Sequence, residues 1–578
     1  MRSSYKYIIL ILFVLMPGLL YSQSQDWVRK SIYPQADSGK SKIYNWMWGR
    51  HYRHLYPIPI RVPSATIETL GGGMDIVGQA EGFHGLLLEN KRKQLYLLKP
   101  LGGSTSFLES KFFREIYNKT DFKNTYLDEF LGDAYTIINP YTFLVADYLA
   151  KSAGLSFSPS RIYYIPSHIR KDTVADGSDI QDRLVNLINV PDINLRSNLY
   201  TTEDFLDSLQ VSKNYMADQN LYIRERIFDM WTGDWNKTNE NWEWQSHTVN
   251  DSVIYTPIVI DRNHAFTKVD GVLFKQMLKM LSLDFICNYD SLILKDTKKI
   301  NKLAFALDMA VAGRSDESVW IRQAQEIQRQ MTDSLIDSAF TYLPEGVKHD
   351  EIELIKRKLK RRRLELEAVA SQYYRLLQRT PVVAGTNQSD YFLIERQAPD
   401  RTVLRIYDPE TGDCRLEQQF SGKETKELWL YGLAGNDTFE VKGNTRKDFP
   451  IYLISGEGEN QYQLNHNRKI HVYDKDYKYD YQKIKYHKIS FTPWGIYDSD
   501  KGISLGTFFT YTMYGFKRAP FTYQHRIGYN YLKGFMYAGI FPNYDGRRRL
   551  YLNASISSPR NFENFFGFGK GVVDPTDF

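Results

Sequence analysis

Two cysteines in 578 residues, Cys287 and Cys414, are too few to staple a fold, so this is no disulfide scaffold, and two unpaired thiols are expected. After Leu20 there is no further run of about 20 apolar residues, which excludes a second transmembrane helix. The only dense basic tract is Lys356 to Arg363, and a net charge of +6 is mild over this length, so no nucleic-acid partner is expected. The 11 histidines are scattered, without the Asp-x-His and Gly-Asn-His-Asp clusters of a two-metal hydrolase. What is plentiful is tyrosine, 42 residues that lift the aromatic share to 15%. Tyrosine-rich strands are common where a sheet meets a membrane interface.

The N-terminus supplies an address. Arg2 and Lys6 precede an apolar run from Ile8 to Leu20 broken by Pro17-Gly18, followed by Ser22-Gln23-Ser24-Gln25. The run is too short to span a bilayer comfortably, so a signal peptide over 1–22 is expected, with the mature chain starting near Gln23. An α+β body follows over about 45–380. Leu70-Gly71-Gly72-Gly73-Met74 is a breaker cluster; Phe83 to Leu88 and Gln94 to Lys99 spell a hairpin around Glu89-Asn90-Lys91. Helical periodicity marks Ser106 to Tyr117, Pro140 to Ala153, Leu221 to Trp231, Lys275 to Ile286, Leu303 to Val311 and one long helix over Glu351 to Leu377. The basic turn of that last helix is expected to be a solvated face.

The most informative stretch runs from Gly233-Asp234-Trp235-Asn236-Lys237-Thr238 to Asn241-Trp242, followed by Asp261-Arg262-Asn263-His264. A kinase places a base Asp five residues before a metal-binding Asn, and a second metal-binding Asp after the next hairpin. Asn236 and Asn241 have that offset, and two short strands separate Asn241 from Asp261. Metal ligation is therefore expected at Asn241 and Asp261, and phosphate contacts at Gly71, Gly72, Gly73 and Lys99. Asn236 holds the catalytic position, with Asp234 two residues away. An asparagine accepts no proton at neutral pH, so the base is altered. The bland alternative is that Asn241 and Asp261 merely cap turns.

From Val382 the period shifts to two, and a β-rich connector is expected over 381–490. Gly432 to Phe439 and Ser455 to Tyr462 recur 23 residues apart and approximate a calcium β-roll repeat. Each lacks a glycine, and Asn460 stands where a ligand Asp belongs, so only weak calcium binding is expected. Over 491–578 aromatic residues alternate with small or polar ones, as at Tyr523, His525, Ile527 and Tyr529. That pattern fits an outer-membrane barrel or, alternatively, a soluble sandwich.

The order of leader, Gly71-Gly72-Gly73, the Gly233-Asp234-Trp235 loop, Pro257 to Phe266, Lys423 to Phe439 and aromatic strands resembles exported Bacteroidetes-type proteins. Those end in a surface-antigen barrel of the BamA/TamA superfamily. Their loop is similar to those of HipA-type and CotH-type atypical kinases. The resemblance implies a two-lobed kinase-like body, ATP with Mg²⁺, and an outer-membrane partner. Departures are Asn236, Thr238 and Asn241 for the family's Asp, His and Gln, and Asn263 for its Asp. About four strands after Tyr497 fall short of the eight a closed barrel needs, so completion by another copy or chain is expected. The resulting expectation is an envelope protein with a disabled kinase-like domain. Its alternatives are an active phosphotransferase and an adhesin-like structural protein.

Overall fold

The computed structural model describes residues 26–559 apart from the segments 81–84, 103–125, 167–179, 190–197, 281–282, 348–349, 445–447, 466–468, 474–478, 499–501, 515–519 and 543–547 and positions 38, 260, 398, 484 and 486. The expected leader, the helix over Ser106 to Tyr117 and the terminal Phe578 lie outside the described residues. Within them the chain is a mixed α+β assembly of several sheets with no closed barrel.

β1 (Trp27–Lys30) pairs with β2 (Ile60–Pro63), and α1 (Lys42–Trp48) lies between them in sequence. β3 (Met74–Ala80), β4 (Gly85–Asn90), β5 (Leu95–Pro100), β6 (Ser160–Ile165) and β7 (Arg183–Asn189) form an antiparallel sheet in the order β3-β4-β5-β7-β6. Its β4–β5 turn is set by Asn90, whose Oδ1 accepts the backbone N–H groups of Arg92 and Gln94. One face buries Leu86, Leu88, Leu98, Val185 and Leu187; the other buries Leu97 and Ile188 against Ile258 of the next sheet. Between β5 and β6 come α2 (Tyr126–Tyr135) and α3 (Phe143–Ser152).

β8 (Leu199–Thr201), α4 (Thr202–Val211), β9 (Tyr215–Ala217), α5 (Gln219–Thr232), β10 (Trp242–Val249) and β11 (Ser252–Val259) build the second part, with sheet order β8-β10-β11-β9. The Asp218 carboxylate caps α5 by accepting the Leu221 N–H. Gly233 ends it at φ +79°, where a Cβ would strike the Tyr289 ring. Around α5 pack α6 (Val272–Met280), α7 (Thr297–Ile300), α8 (Phe305–Ala312), α9 (Glu317–Gln330), α10 (Asp333–Ala339), α11 (Asp350–Arg363) and α12 (Leu366–Leu377). The single long helix expected over Glu351 to Leu377 is instead broken at Leu364-Glu365. The break aims Leu366 and Tyr373 into the core, where Tyr373 meets Trp320 edge-on. Its basic turn is not wholly solvated: Arg362 is buried and donates to the carbonyls of Met230 and Asp290.

The β-rich stretch coils. β12 (Val382–Ala384), β16 (Leu428–Tyr431), β18 (Ile451–Ile454) and β20 (Ile470–Tyr473) stack in parallel. A second sheet holds β13 (Tyr391–Gln397), β17 (Thr438–Gly443) and β19 (Gln461–Leu464) in parallel, extended antiparallel by β14 (Arg401–Tyr407) and β15 (Cys414–Ser421). The chain alternates between the sheets, so this is a short solenoid around Phe392, Leu430, Phe439 and Leu453. Leu428 pairs with Ile451 and Thr438 with Gln461, each 23 residues on. Stacked turns leave no room for side chains: a Cβ at Gly458 would lie 1.8 Å from the Gly435 carbonyl.

Last comes an open antiparallel meander in chain order: β21 (Lys488–Asp498), β22 (Gly502–Met513), β23 (Tyr523–Asn530), β24 (Gly534–Phe541) and β25 (Leu550–Ile556). Both cysteines are free thiols.

Candidate functional site

The site forms where the β3–β7 sheet meets the loop after α5. Lys99, near the end of β5, reaches Asp261 just beyond β11, with Nζ 2.5 Å from Oδ2. The Asp261 Oδ1 accepts the N–H of Asn263 at 2.8 Å. Burial opposes ionisation of Asp261, but the Lys99 charge and these hydrogen bonds outweigh it and hold the carboxyl at about 2. It is therefore ionised at neutral pH and able to serve as a hard oxygen ligand.

Pairing of Trp242 with Val259 puts Asn241 and Asp261 beyond the same end of the β10–β11 hairpin. The Asn241 Oδ1 accepts from the Thr238 N–H at 2.8 Å and from the Thr238 hydroxyl at 2.9 Å. Asn241 thus caps its own turn. Asn236, five residues before Asn241, is half-buried, its amide donating to Nδ1 of His264 at 3.4 Å. Burial depresses His264 to about 3, so the ring is neutral and can accept. His264 also stands edge-on to Trp235, whose indole N–H donates to Thr267 at 3.0 Å.

Below this row lies a buried charge network. Lys237 has its side chain fully buried; it pairs with Asp234, donates to the Asp261 carbonyl at 3.2 Å and stands 3.5 Å from Asp229. Asp229 also binds Arg226 at 2.7 Å, and Arg226 binds Asp308 at 2.8 Å. Arg262 joins Glu225 at 2.8 Å. Burial pushes the carboxyls of Asp229 and Asp234 upward against the pull of Lys237. Asp234 is therefore occupied beneath the loop and is not free to act as a base. Its Oδ1 is buried without a partner. Asp147 on α3 accepts from Ser160 at 2.9 Å, and burial raises it to about 7 despite Arg262.

Lys99 on β5 thus meets Asp261, Asn241 lies beyond the same hairpin end as Asp261, and Asn236 touches His264 three residues after Asp261, whereas Gly71, Gly72 and Gly73 are elsewhere. Met74 pairs with Asn90 and Glu89 with Leu95, which puts the glycines at the far end of the sheet from Lys99. At about 3.3 Å per residue the separation along β5 exceeds a phosphate's reach. The Lys99 end holds Gly85 instead, at the start of β4, where a Cβ would lie 2.6 Å from the Leu98 carbonyl. Sequence inspection also missed Asn186. It pairs across from Lys99 on β7, is buried, and leaves its Oδ1 without a partner. Lys237 was missed as well, because a lysine in a polar loop is ordinarily solvated and nothing local marks this one as buried.

Mg²⁺ carried on nucleotide phosphates needs only one or two protein oxygens. Asp261 and Lys99 fit such a load by charge, whereas Asn241 fits only by giving up its cap. Among the described residues no group of three or more His, Cys, Asp or Glu is placed to hold a metal by itself.

No family model and no curated protein matches the chain. Among solved structures it is similar to the Helicobacter pylori proinflammatory kinase CtkA, at 11% identity and a TM-score of 0.26, over 55% of this chain and 99% of that one. It is also similar to Shewanella oneidensis MR-1 HipA, from a toxin–antitoxin complex with HipB and operator DNA, at 9% identity and a TM-score of 0.20, over 40% of this chain and 57% of that one. Likenesses this slight carry no weight beside the geometry of Lys99 and Asp261.

Proposed function

We propose that the body is an atypical-kinase-like module that binds nucleotide phosphates with Mg²⁺ and transfers phosphate poorly or not at all. One observation carries this: a lysine at the end of a sheet strand closes on an ionised aspartate two residues past a hairpin, and that hairpin is entered through Asn241. In phosphoryl transfer such a lysine and aspartate serve the phosphates and their metal, while a separate carboxylate takes the proton of the accepting hydroxyl. Here Asn236 stands at that third place and donates to a neutral imidazole. Asp234, the nearest carboxylate in the loop, is locked onto Lys237. Both facts favour the disabled form over the active phosphotransferase.

The envelope part of the proposal rests on the meander. Its residues alternate in the inverted sense. Ile503, Leu505 and Phe509 are exposed on one face, while Ser504, Thr510 and Thr512 are buried on the other. Pairing of Phe491 with Phe509, Phe509 with Ile527 and Ile527 with Tyr537 aligns the apolar residues across four strands. Apolar outside and polar inside is the pattern of a lipid-facing sheet. We therefore place the protein in the outer membrane of a cell envelope, its body on the periplasmic side, with further strands from another copy or chain pairing the open edges.

The test of the body is Mg²⁺-dependent binding of a fluorescent ATP analogue. Native protein should bind and should show no transfer of labelled phosphate. Lys99→Ala and Asp261→Ala should each weaken binding at least tenfold while Gly72→Ala leaves it unchanged. Undiminished binding by both variants would refute the assignment.

A further inference from the structure

A second exposed apolar surface lies on the body rather than on the meander. α1 packs against α6, and their ends meet so closely that a Cβ on Gly271 would lie 2.4 Å from the Gly49 nitrogen. α6 buries Phe274 and Leu278 and turns its other side to solvent. That outer side carries Val272, Leu273 and Met280 together with Lys275 and Lys279. α1 buries nothing fully and exposes Ile43 (70%) and Trp46 (65%), with Lys42 beside them. Soluble surfaces rarely cluster large apolar side chains in this way.

The surface adjoins the meander. α6 packs on β21, and Lys488 at the start of β21 feels the charges of Asp284, just past the C-terminal end of α6, and of Lys302, which is paired with Asp284. Ile489 and Phe491, exposed on β21, therefore continue a belt that runs from α1 along α6. Apolar side chains interspersed with lysine, with a tryptophan among them, suit the plane where acyl chains meet headgroups. The exposed cations match anionic headgroups in sign and match no apolar protein partner.

From this we infer that α1 and α6 form an interfacial foot, resting on the surface of an anionic bilayer beside the meander. The inference rests on the lipid-facing assignment of the meander. The foot fixes the height and tilt of the body, so that the loop bearing Asn236 is held at a set distance from the membrane surface. Its ligand is the lipid headgroup region, with Trp46 and Ile43 below the headgroup phosphates and Lys42, Lys275 and Lys279 level with them.

The experiment is co-flotation of the full-length protein with phosphatidylcholine vesicles, with and without phosphatidylglycerol, at low and high salt. Native protein should bind more tightly with phosphatidylglycerol, and salt should remove the difference. Near-surface lysines contribute enough that Lys275→Glu and Lys279→Glu should each lower affinity for anionic vesicles about fivefold, with little change on neutral ones. Trp46→Ser should weaken binding to both, and thermal melts should show all three variants folded. Variants that bind both vesicle types as the native protein does would overturn the foot and leave the meander assignment standing. If the native protein floats with neither, both fall. A Phe491→Ser, Leu505→Ser variant that keeps only the salt-sensitive component would support the foot independently of the sheet.

Discussion

Asn236 and Lys237 are chain neighbours with opposite fates: one lies half-buried beside His264, the other is sealed beneath the loop among Asp229, Asp234 and the Asp261 carbonyl. The offset between Asn236 and Asn241 is visible in the sequence because it is a short-range spacing. The burial of Lys237 is not, since a lysine in a polar loop is ordinarily solvated. Two predictions follow at this scale. General-base assistance is worth about 10² to 10⁴ in rate, so Asn236→Asp should raise any residual phosphate transfer by a measurable part of that. A transfer rate unchanged in labelled-ATP assays would show that Asn236 is not at the base position. Lys237→Met should cost about 3–5 kcal/mol in urea unfolding, because it leaves the buried Asp234 carboxyl without its cation. A loss below about 1 kcal/mol would show the network to be solvated.

Elements were legible wherever one period dominated. The buried helix ending at Gly233, the paired strands flanking Glu89-Asn90-Lys91 and the 23-residue repeat all stand in the structure, the last as stacked rungs in register. Gly71 to Gly73 misled because a glycine cluster announces a turn without saying which end of a sheet it occupies. The strand register, a tertiary fact, decides that. The repeat's acidic residues also have a use that composition does not reveal. The Asp437 Oδ1 accepts the Asp390 N–H at 2.9 Å, and the Asn460 Oδ1 accepts the Asp437 N–H at 2.9 Å, so each side chain ties its rung to the preceding one. The Asp437 Oδ2 is buried without a partner, and burial lifts this carboxyl to about 7. A folded-state pKa above the unfolded one means that the folded form holds the extra proton. Stability from Asp437 is thus fully present below about pH 4 and is lost as pH rises through 7. Asp437→Asn should abolish that dependence and, at pH 8, stabilise the protein by about 1–3 kcal/mol. Melting temperatures across pH 4–8 check this; a native curve flat over that range would mean the carboxyl reaches water. Because these oxygens already hold backbone N–H groups, a calcium chelator should leave the melting temperature unchanged.

At the scale of the whole molecule, the body, solenoid and meander are linked by contacts that no local pattern announces. Tyr481, in the segment leading to the meander, accepts a hydrogen bond from the Asn239 amide, within the turn that carries Asn241. Gln482 adds a 3.4 Å contact to Glu203 on α4. The segment before the meander thus touches the candidate site. Alternation in the last strands was legible, but which face turns outward was not, since a soluble sandwich alternates too. The structure gives the facing of each residue: Ser504 is fully buried and bonds to Asn530 at 2.5 Å, while Leu505 is 69% exposed. In water, placing arginine at Leu505 and Ile527 should change stability by no more than about 0.5 kcal/mol, as exposed positions do. In a bilayer the same substitutions should cost about 2–4 kcal/mol each near the midplane, because arginine there loses its hydration. Ser504→Leu reverses the contrast: it removes the buried hydroxyl that donates to Asn530 and accepts the Leu532 N–H, and should destabilise the sheet in either medium. Urea unfolding of Leu505→Arg, Ile527→Arg and Ser504→Leu proteins, with and without lipid vesicles, separates the cases. A lipid-specific penalty confined to the arginine variants identifies the apolar face as the one that meets lipid, whereas equal stability with and without vesicles would make the meander a soluble sheet.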